Sequence, residues 1–507
     1  MSEGRLYSIA QARSRMLVNL LLSVGSVWIA IALIPSAGVM RGVGVAFAAL
    51  ALWQFVCAVS TPRRTSGSPI VLRLGGFAWR VEDFCRGWLI TGQIGTGKTA
   101  AAINTMLWHV SKNFPTWGGV CVDDKGVYWE TLSGMLRHLG REKDLILLQV
   151  RQADAPADWK PAHTFNFLDD PHLPYSAKAK IVCDVAASLG QRAEQSFFRM
   201  QAQVQMEFAF RVLAAVEHSV TLEHAYDLIV SDTLMDEFME TIAVQPTREA
   251  KLLVAHYNGN FKNQPPEQLG GVKTTLANYL KYFTDPCIAE IFCASRSTFS
   301  FDDLDRGKIV CVSLPQRYQI ERRYINTLLK LSFYSHALRR FDKPTVDRAA
   351  DNLLILWADE AQKIVTASDD GMSDYNVVDV IREARATVVA ATQSYQSLIP
   401  PMSDERRAKV FIANMANRVT FCAADEESAK IAADTIGKRK TKKRTVGYSG
   451  GKRSTSVTDE DKYWFEPYQL RKLRKFEAVV QHCNGGFRRV WLPPRGTDGK
   501  VPAWFRN

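Results

Sequence analysis

The chain of 507 residues has no internal repeat and no paired cysteine motif. Its nine cysteines (Cys57, Cys85, Cys121, Cys183, Cys287, Cys293, Cys311, Cys422 and Cys483) are scattered, and several lie in apolar runs. That distribution argues against a zinc ribbon or a disulfide framework and fits a reducing compartment. Acidic charge is also scarce. Against 64 Lys and Arg stand 52 Asp and Glu, a formal charge of +12. The balance favours a polyanionic partner, either nucleic acid or an anionic membrane face. Strand-like runs are missing between about Tyr175 and Ile291, where helical spacing takes over, as in Phe197-Phe198, Ala202, Met206, Phe210 and Leu213. This predicts a helical insertion whose aromatics make core; its Lys251, Lys262, Lys273 and Lys281 either line a solvated face or touch nucleic acid.

Two long apolar runs stand near the beginning, Met16–Ile34 and Gly42–Val59. Each approaches the roughly 20 residues that cross a bilayer as a helix. Arg5, Arg13 and Arg15 precede the first, Arg63 and Arg64 follow the second, and the turn between them carries Arg41 alone. The bias predicts a transmembrane hairpin with both ends in the cytoplasm. A cleaved signal peptide is the competing reading of the first run, and the second run argues against it. Two buried core helices are the other alternative.

The organising motif is Gly92-Gln93-Ile94-Gly95-Thr96-Gly97-Lys98-Thr99, with G-x-x-x-x-G-K-[ST] spacing. Trp88-Leu89-Ile90 ahead of it suits a buried strand, and Ala100 to Trp108 behind it holds strong helix formers. Strand, glycine loop and helix bring backbone amides and a helix N-terminus to bear on phosphate. The expected nucleotide contacts are these eight residues and Ala100, with Lys98 reaching the β- and γ-phosphates and Thr99 ligating Mg²⁺. A chance match in a glycine-containing turn is the bland alternative.

Three further strand ends carry polar groups. Leu353 to Ala358 is nearly all apolar and ends in Asp359-Glu360, as a strand buried on both faces does. In a phosphate-loop enzyme the first acid holds the Mg²⁺ shell and the second activates water as a general base. Helix capping is the alternative. Thr387 to Thr392 ends in Gln393, a candidate sensor of the γ-phosphate or the attacking water, or else a loop hydrogen-bond partner. Arg382 and Arg385 precede that strand. In a ring of subunits an arginine there can reach a neighbour's nucleotide; a surface salt bridge is the other reading. Gly118 to Val122 ends in Asp123-Asp124-Lys125-Gly126, where the acids either cap a helix or orient groups near phosphate. Strands are also expected at 70–74, 77–81, 309–315 and 419–423, and a hairpin around Asn484-Gly485-Gly486. Lys438 to Arg444 is basic except at Thr441 and runs into a Gly/Ser/Lys stretch. It reads as a basic low-complexity loop, either solvated or in contact with phosphates.

With these residues laid out, the chain resembles the type IV coupling proteins, the inner-membrane ATPases of bacterial conjugation and type IV secretion. The resemblance rests on the membrane hairpin, the phosphate loop and Asp123-Asp124-Lys125-Gly126. It also rests on Phe165-Asn166, Asp359-Glu360 and the run Thr392-Gln393-Ser394-Tyr395-Gln396-Ser397-Leu398. It implies an α/β fold: a RecA-like P-loop motor over 63–174 and 292–507, an all-α insertion over 175–291, and a two-helix transmembrane hairpin over 1–62. It further implies a two-pass inner-membrane homo-hexamer that uses ATP and Mg²⁺ to drive DNA, single-stranded and bound without sequence preference, with its relaxase toward the secretion channel. The helical insertion would recognise relaxosome or substrate. Lys98, Glu360, Gln393 and Arg382 would be the catalytic set, with Thr99 and Asp359 on the metal. Related septal DNA translocases place an arginine at the spacing from the strand-end glutamine that Arg382 has, which prefers Arg382 over Arg385. Val127 stands where an acid is frequent, Ser397 replaces a second glutamine, the phosphate loop lacks a common proline, and the turn between the membrane segments is short. A protein-effector receptor of a secretion system, a septal-type DNA translocase and a non-catalytic membrane scaffold are the alternative readings.

Overall fold

A computed structural model describes residues 68–152, 155–156, 158–189, 196–368, 371–449 and 452–506. The membrane hairpin expected over Met16–Val59 lies outside these residues. Among the described residues no helix is long and apolar enough to cross a membrane.

The chain enters through an antiparallel pair, β1 (Ile70–Leu74) and β2 (Phe77–Arg80), turned at Gly75-Gly76. A nine-stranded sheet follows. Its strands are β3 (Trp88–Thr91), β4 (Gly118–Val122), β5 (Leu145–Gln149), β6 (Ile309–Ser313), β7 (Leu354–Ala358), β8 (Ala386–Thr392) and β9 (Asn417–Thr420), with β12 and β13 at one edge. A separate hairpin, β10 (Lys438–Ser449) and β11 (Lys452–Tyr463), precedes β12 (Glu477–Gln481) and β13 (Phe487–Trp491). The order across the sheet is β13-β12-β9-β3-β8-β7-β4-β6-β5. Pairings from β9 to β5 are parallel, and β12 runs antiparallel to both β9 and β13.

Every residue of β3, β4, β6, β7, β8 and β9 is buried, which is why these strands read as unbroken apolar runs rather than alternating ones. Successive side chains serve two cores. Leu354, Leu356, Val388 and Ala390 face one, with Val120 and Val310. Ile355, Trp357, Val389 and Ala391 face the other, with Trp88, Trp117 and the helix behind the phosphate loop. Between β5 and β6 the chain is helical, with Tyr175–Ser188, Ser196–Ala215, Leu222–Val230, Asp232–Ala243, Arg248–His256, Pro266–Leu280 and Pro286–Phe292. Side-chain oxygens of Thr221, Ser231, Thr247 and Asp285 cap four of these starts. Lys262 and Lys273 pair with Asp236 and Asp232.

Two expectations are revised. The basic stretch from Lys438 is no loop: it is the first strand of a twelve-rung antiparallel hairpin in register from Lys438–Tyr463 to Ser449–Lys452. Thr441, Val446, Thr455, Val457 and Thr458 supply β-branched side chains that favour strand. The strand expected at 419–423 starts earlier, at Asn417. Buried Asn417 is matched there on both sides, accepting from Trp79 Nε1 at 2.7 Å and donating to the Asp83 carbonyl at 2.8 Å.

Candidate active site

The phosphate loop leaves β3 at Gly92 and closes on itself. Thr96 Oγ1 donates to the Gln93 carbonyl at 2.8 Å, and the Gln93 amide donates to the Cys422 carbonyl at 2.8 Å. Gly97 holds a φ of +116°, and a Cβ there would stand 2.6 Å from the Phe476 ring. Both the angle and the space demand glycine. A π-helical turn, Lys98–Ile103, then opens the helix Asn104–Asn113; such turns recur at functional sites. Ile94 projects into solvent and Ala100 is half-buried.

Lys98 is only 7% exposed, and its Nζ donates to the Gly92 carbonyl at 2.7 Å and the Gln93 carbonyl at 3.3 Å. Burial lowers its pKa, while Glu360 and Asp359 pull it back up and Lys125 lowers it further. Asp123 shows the capping role: it accepts from the amides of Lys125 at 3.0 Å and of Val127 and Tyr128 at 2.9 Å each.

The strand order completes the site. β8 lies between β3 and β7, with Thr91 beside Thr392 and Ala358 beside Ala390, so three strand ends open on one edge. Thr99 Oγ1 donates to Asp359 Oδ2 at 2.7 Å, across 260 positions of sequence. Burial raises the Asp359 pKa; the Thr99 hydroxyl opposes this, and Glu360 and Asp123 add to it. Glu360 sits at φ +54°, a costly backbone for a non-glycine residue. Its carboxylate accepts from Gln393 Nε2 at 3.1 Å and from Gln362 Nε2. Thr99 and Asp359 are hard oxygen donors in mutual contact, the kind of pair that suits Mg²⁺, and the loop and Lys98 suit a triphosphate.

Arg382 and Arg385 stand elsewhere. They precede β8 while Gln393 follows it, and a seven-residue strand spans roughly 20 Å. Arg382 is half-exposed, with Glu383 at 3.9 Å. Arg385 is engaged within the chain, donating to the Ala349 carbonyl from a left-handed backbone. Buried Arg340 anchors this turn, donating to the carbonyls of Ala384 at 2.6 Å and Asn352 at 2.8 Å and pairing with Asp305.

Some residues at the site carried no assignment from sequence. Gln362, two positions beyond Glu360, was visible as an amide beside the acids. A support from the far end of the chain has no local signal. The Phe476 amide donates to the Thr96 carbonyl at 2.9 Å and the Arg495 amide to the Ala100 carbonyl at 2.9 Å. Asn104 Nδ2 returns a bond to the Arg495 carbonyl at 3.1 Å.

A family model described as type IV secretory system conjugative DNA transfer matches residues 59–484. No curated protein gives a significant match. Among solved structures the chain resembles the bacterial conjugative coupling protein TrwBdeltaN70 in an unbound monoclinic form. The TM-score is 0.60 at 14% identity, covering 88% of this chain and 92% of that one. It also resembles the plasmid coupling protein TrwB with the non-hydrolysable GTP analogue GDPNP, with a TM-score of 0.59, 14% identity and coverage of 85% and 91%. The same protein with ADP and Mg²⁺ gives a TM-score of 0.56 at 14% identity and coverage of 85% and 90%. At this identity the likeness is one of fold.

Proposed function

The chain belongs to the type IV secretory system conjugative DNA transfer family, and on that premise we propose that it is a coupling ATPase. In this reading it is a two-pass inner-membrane protein with its motor in the cytoplasm. It assembles as a homo-hexameric ring that hydrolyses ATP and drives DNA, single-stranded and with its relaxase, toward the secretion channel. The helical insertion recruits the relaxosome or substrate.

The observation that carries the hydrolysis reading is the Thr99–Asp359 contact beside the Gln393–Glu360 contact. These pairs join the phosphate loop, the acidic strand end and the amide strand end in one site. Lys98 and the loop amides hold the triphosphate, its Nζ leaving the Gly92 carbonyl for phosphate oxygen. Thr99 and Asp359 would hold Mg²⁺, which supplies charge neutralisation at the β- and γ-phosphates. Glu360, held by Gln362 and Gln393, orients the attacking water and takes its proton on a carboxylate oxygen. Gln393 ties that carboxylate to the end of β8. Arg382 of an adjacent subunit supplies the remaining positive charge. That TrwB was solved with nucleotide analogues and with ADP and Mg²⁺ supports this choice of cofactor.

The test is Lys98→Thr in the full chain. ATP hydrolysis and DNA transfer between cells should both fall to background, with membrane insertion intact. Transfer that persists at the wild-type level sinks the motor reading. Stimulation of hydrolysis by a secreted protein but not by single-stranded DNA would move the function to an effector receptor.

A further inference from the structure

We propose that the β10–β11 arm is a nucleic-acid contact surface that grips phosphates along the ribbon without reading bases. From Lys438 to Tyr463 the sequence holds nine basic residues and three acidic ones. The excess of six is half of the chain's net charge of +12, carried by a small fraction of its length.

The register shows where that charge is left over. Asp461, Glu460 and Asp459 face Lys440, Thr441 and Lys442, all in the half nearest the body. Toward the tip there is no carboxylate from Lys443 through Thr458. Arg444 faces Val457, Tyr448 faces Arg453 and Ser449 faces Lys452. At the base, Arg439 faces Lys462 directly, a like-charge rung with one carboxylate, Glu460, beside it on the same face. The one carboxylate on the Lys443 side, Glu460, is 3.8 Å from its ammonium.

The arm forms a two-stranded sheet of its own. Twelve residues per strand reach roughly 40 Å, and an isolated ribbon of this kind is marginal without a partner. Cross-strand partners share a face, so Lys438, Lys440, Lys442 and Arg444 project to one side while Arg439, Lys443 and Lys462 project to the other. Lys440, Lys442, Lys443 and Arg444 are exposed. A membrane surface meets one face or an apolar tip. Charge spread along the ribbon and around both faces instead suits a polyanion lying alongside, and a two-stranded ribbon has the width a DNA groove admits. The Ser, Thr and Gly residues beyond Arg444 fit phosphate contact better than base readout.

The arm is separate from the phosphate loop, and its binding is read without ATP, so failure here leaves the hydrolysis reading standing. The variant is Lys440→Thr, Lys442→Thr, Lys443→Thr and Arg444→Thr together in the full chain, threonine keeping strand preference. The probe is a fluorescent mixed-sequence DNA strand, alone and as its duplex, titrated over a range of salt. For single strands the slope of log Kd against log salt should fall by about three, with affinity on the order of 100-fold weaker near 150 mM salt. Arginine at the same lysines should preserve both, and hydrolysis without DNA should stay at the wild-type rate. An unchanged slope and affinity overturns the proposal. So does a variant that keeps its DNA affinity but loses binding to phosphatidylglycerol vesicles, which would make the arm a membrane contact.

Discussion

Asp359 is held at an energetic cost to the fold. Its carboxylate is buried, and burial raises its pKa against the help of the Thr99 hydroxyl. A group whose pKa is raised on folding adds stability only below its ordinary value, and loses that stability as pH rises through the raised one. At neutral pH without nucleotide the ionised Asp359 therefore weakens the fold, and a cation beside it removes the penalty. Asp359→Asn should accordingly raise the melting temperature of the nucleotide-free protein by about one degree, what about 1 kcal/mol gives a unit of this size. It should also cut hydrolysis by roughly 100-fold or more, since a neutral amide holds a divalent cation poorly. Thermal melts and phosphate release on one preparation check both arms; a lowered melting point with normal hydrolysis refutes the argument. Raising the pH from mildly acidic to neutral should widen the variant's stability advantage over wild type, the direction that a raised Asp359 pKa dictates. At this scale the sequence was informative wherever a polar residue ended an apolar run. Thr99, Asp359, Glu360 and Gln393 each close a loop or strand that a parallel sheet aims at one edge. Gln362 and the left-handed backbone of Glu360 could not be ranked, because both depend on how the loop folds back.

The helix Gln319–Arg339 organises the segment between the acids and the arginine turn. Arg323 donates to the Lys363 carbonyl. Lys330 donates to the Ile364 carbonyl at 2.7 Å and to Thr366 Oγ1 at 3.0 Å, and pairs with Asp374. Tyr334 OH donates to Asp374 at 2.6 Å, and Arg340 just beyond the helix holds Ala384. Lys330 and Asp374 are 1% and 2% exposed, so water cannot solvate one if the other is lost. Lys330→Met should cost about 3–5 kcal/mol in urea unfolding, the usual penalty for stranding a buried charge. Adding Asp374→Asn, which removes the charge but leaves one oxygen, enough for either Tyr334 or Thr366, should recover part of that loss; a double variant less stable than the single would refute the pairing. Elements were legible in proportion to how continuous their apolar runs were. β7 and β8 announce themselves, and so do the hairpins with glycine turns. β5 is short and half-buried, and its five residues carry a weak strand signal. In the β10–β11 arm, charge and Gly/Ser content conceal the threonines and valines, and pairing is set by register along the hairpin rather than by a buried face.

At the scale of the molecule, what is unusual is that one strand carries two polar groups to opposite ends. Gln393 meets Glu360 on the nucleotide edge, while Arg382 stands half-exposed at the start of β8, a strand's length away. Arg340, Asp305 and the Asn352 carbonyl fix that turn, so Arg382 presents outward from a rigid base and not from a flexible loop. A cation so placed stands away from its own phosphate loop; in the ring proposed above it would serve a neighbour's, and every site would then be built from two subunits. Mixing distinguishes this from a purely structural arginine. Lys98→Thr and Arg382→Ala should each hydrolyse ATP at background rates alone. Co-assembled one to one, some junctions regain an intact Lys98 on one side and an intact Arg382 on the other. With independently firing sites, random mixing restores about a quarter of the wild-type rate, where neither parent has any. Arg385→Ala in place of Arg382→Ala should give only the activity of its own share of the mixture, with no gain on mixing, because its loss touches the Ala349 loop within its own subunit and removes no shared charge. Mixtures that stay at background, with assembly confirmed by sedimentation, would place Arg382 inside its own subunit's structure and leave each phosphate loop to work alone.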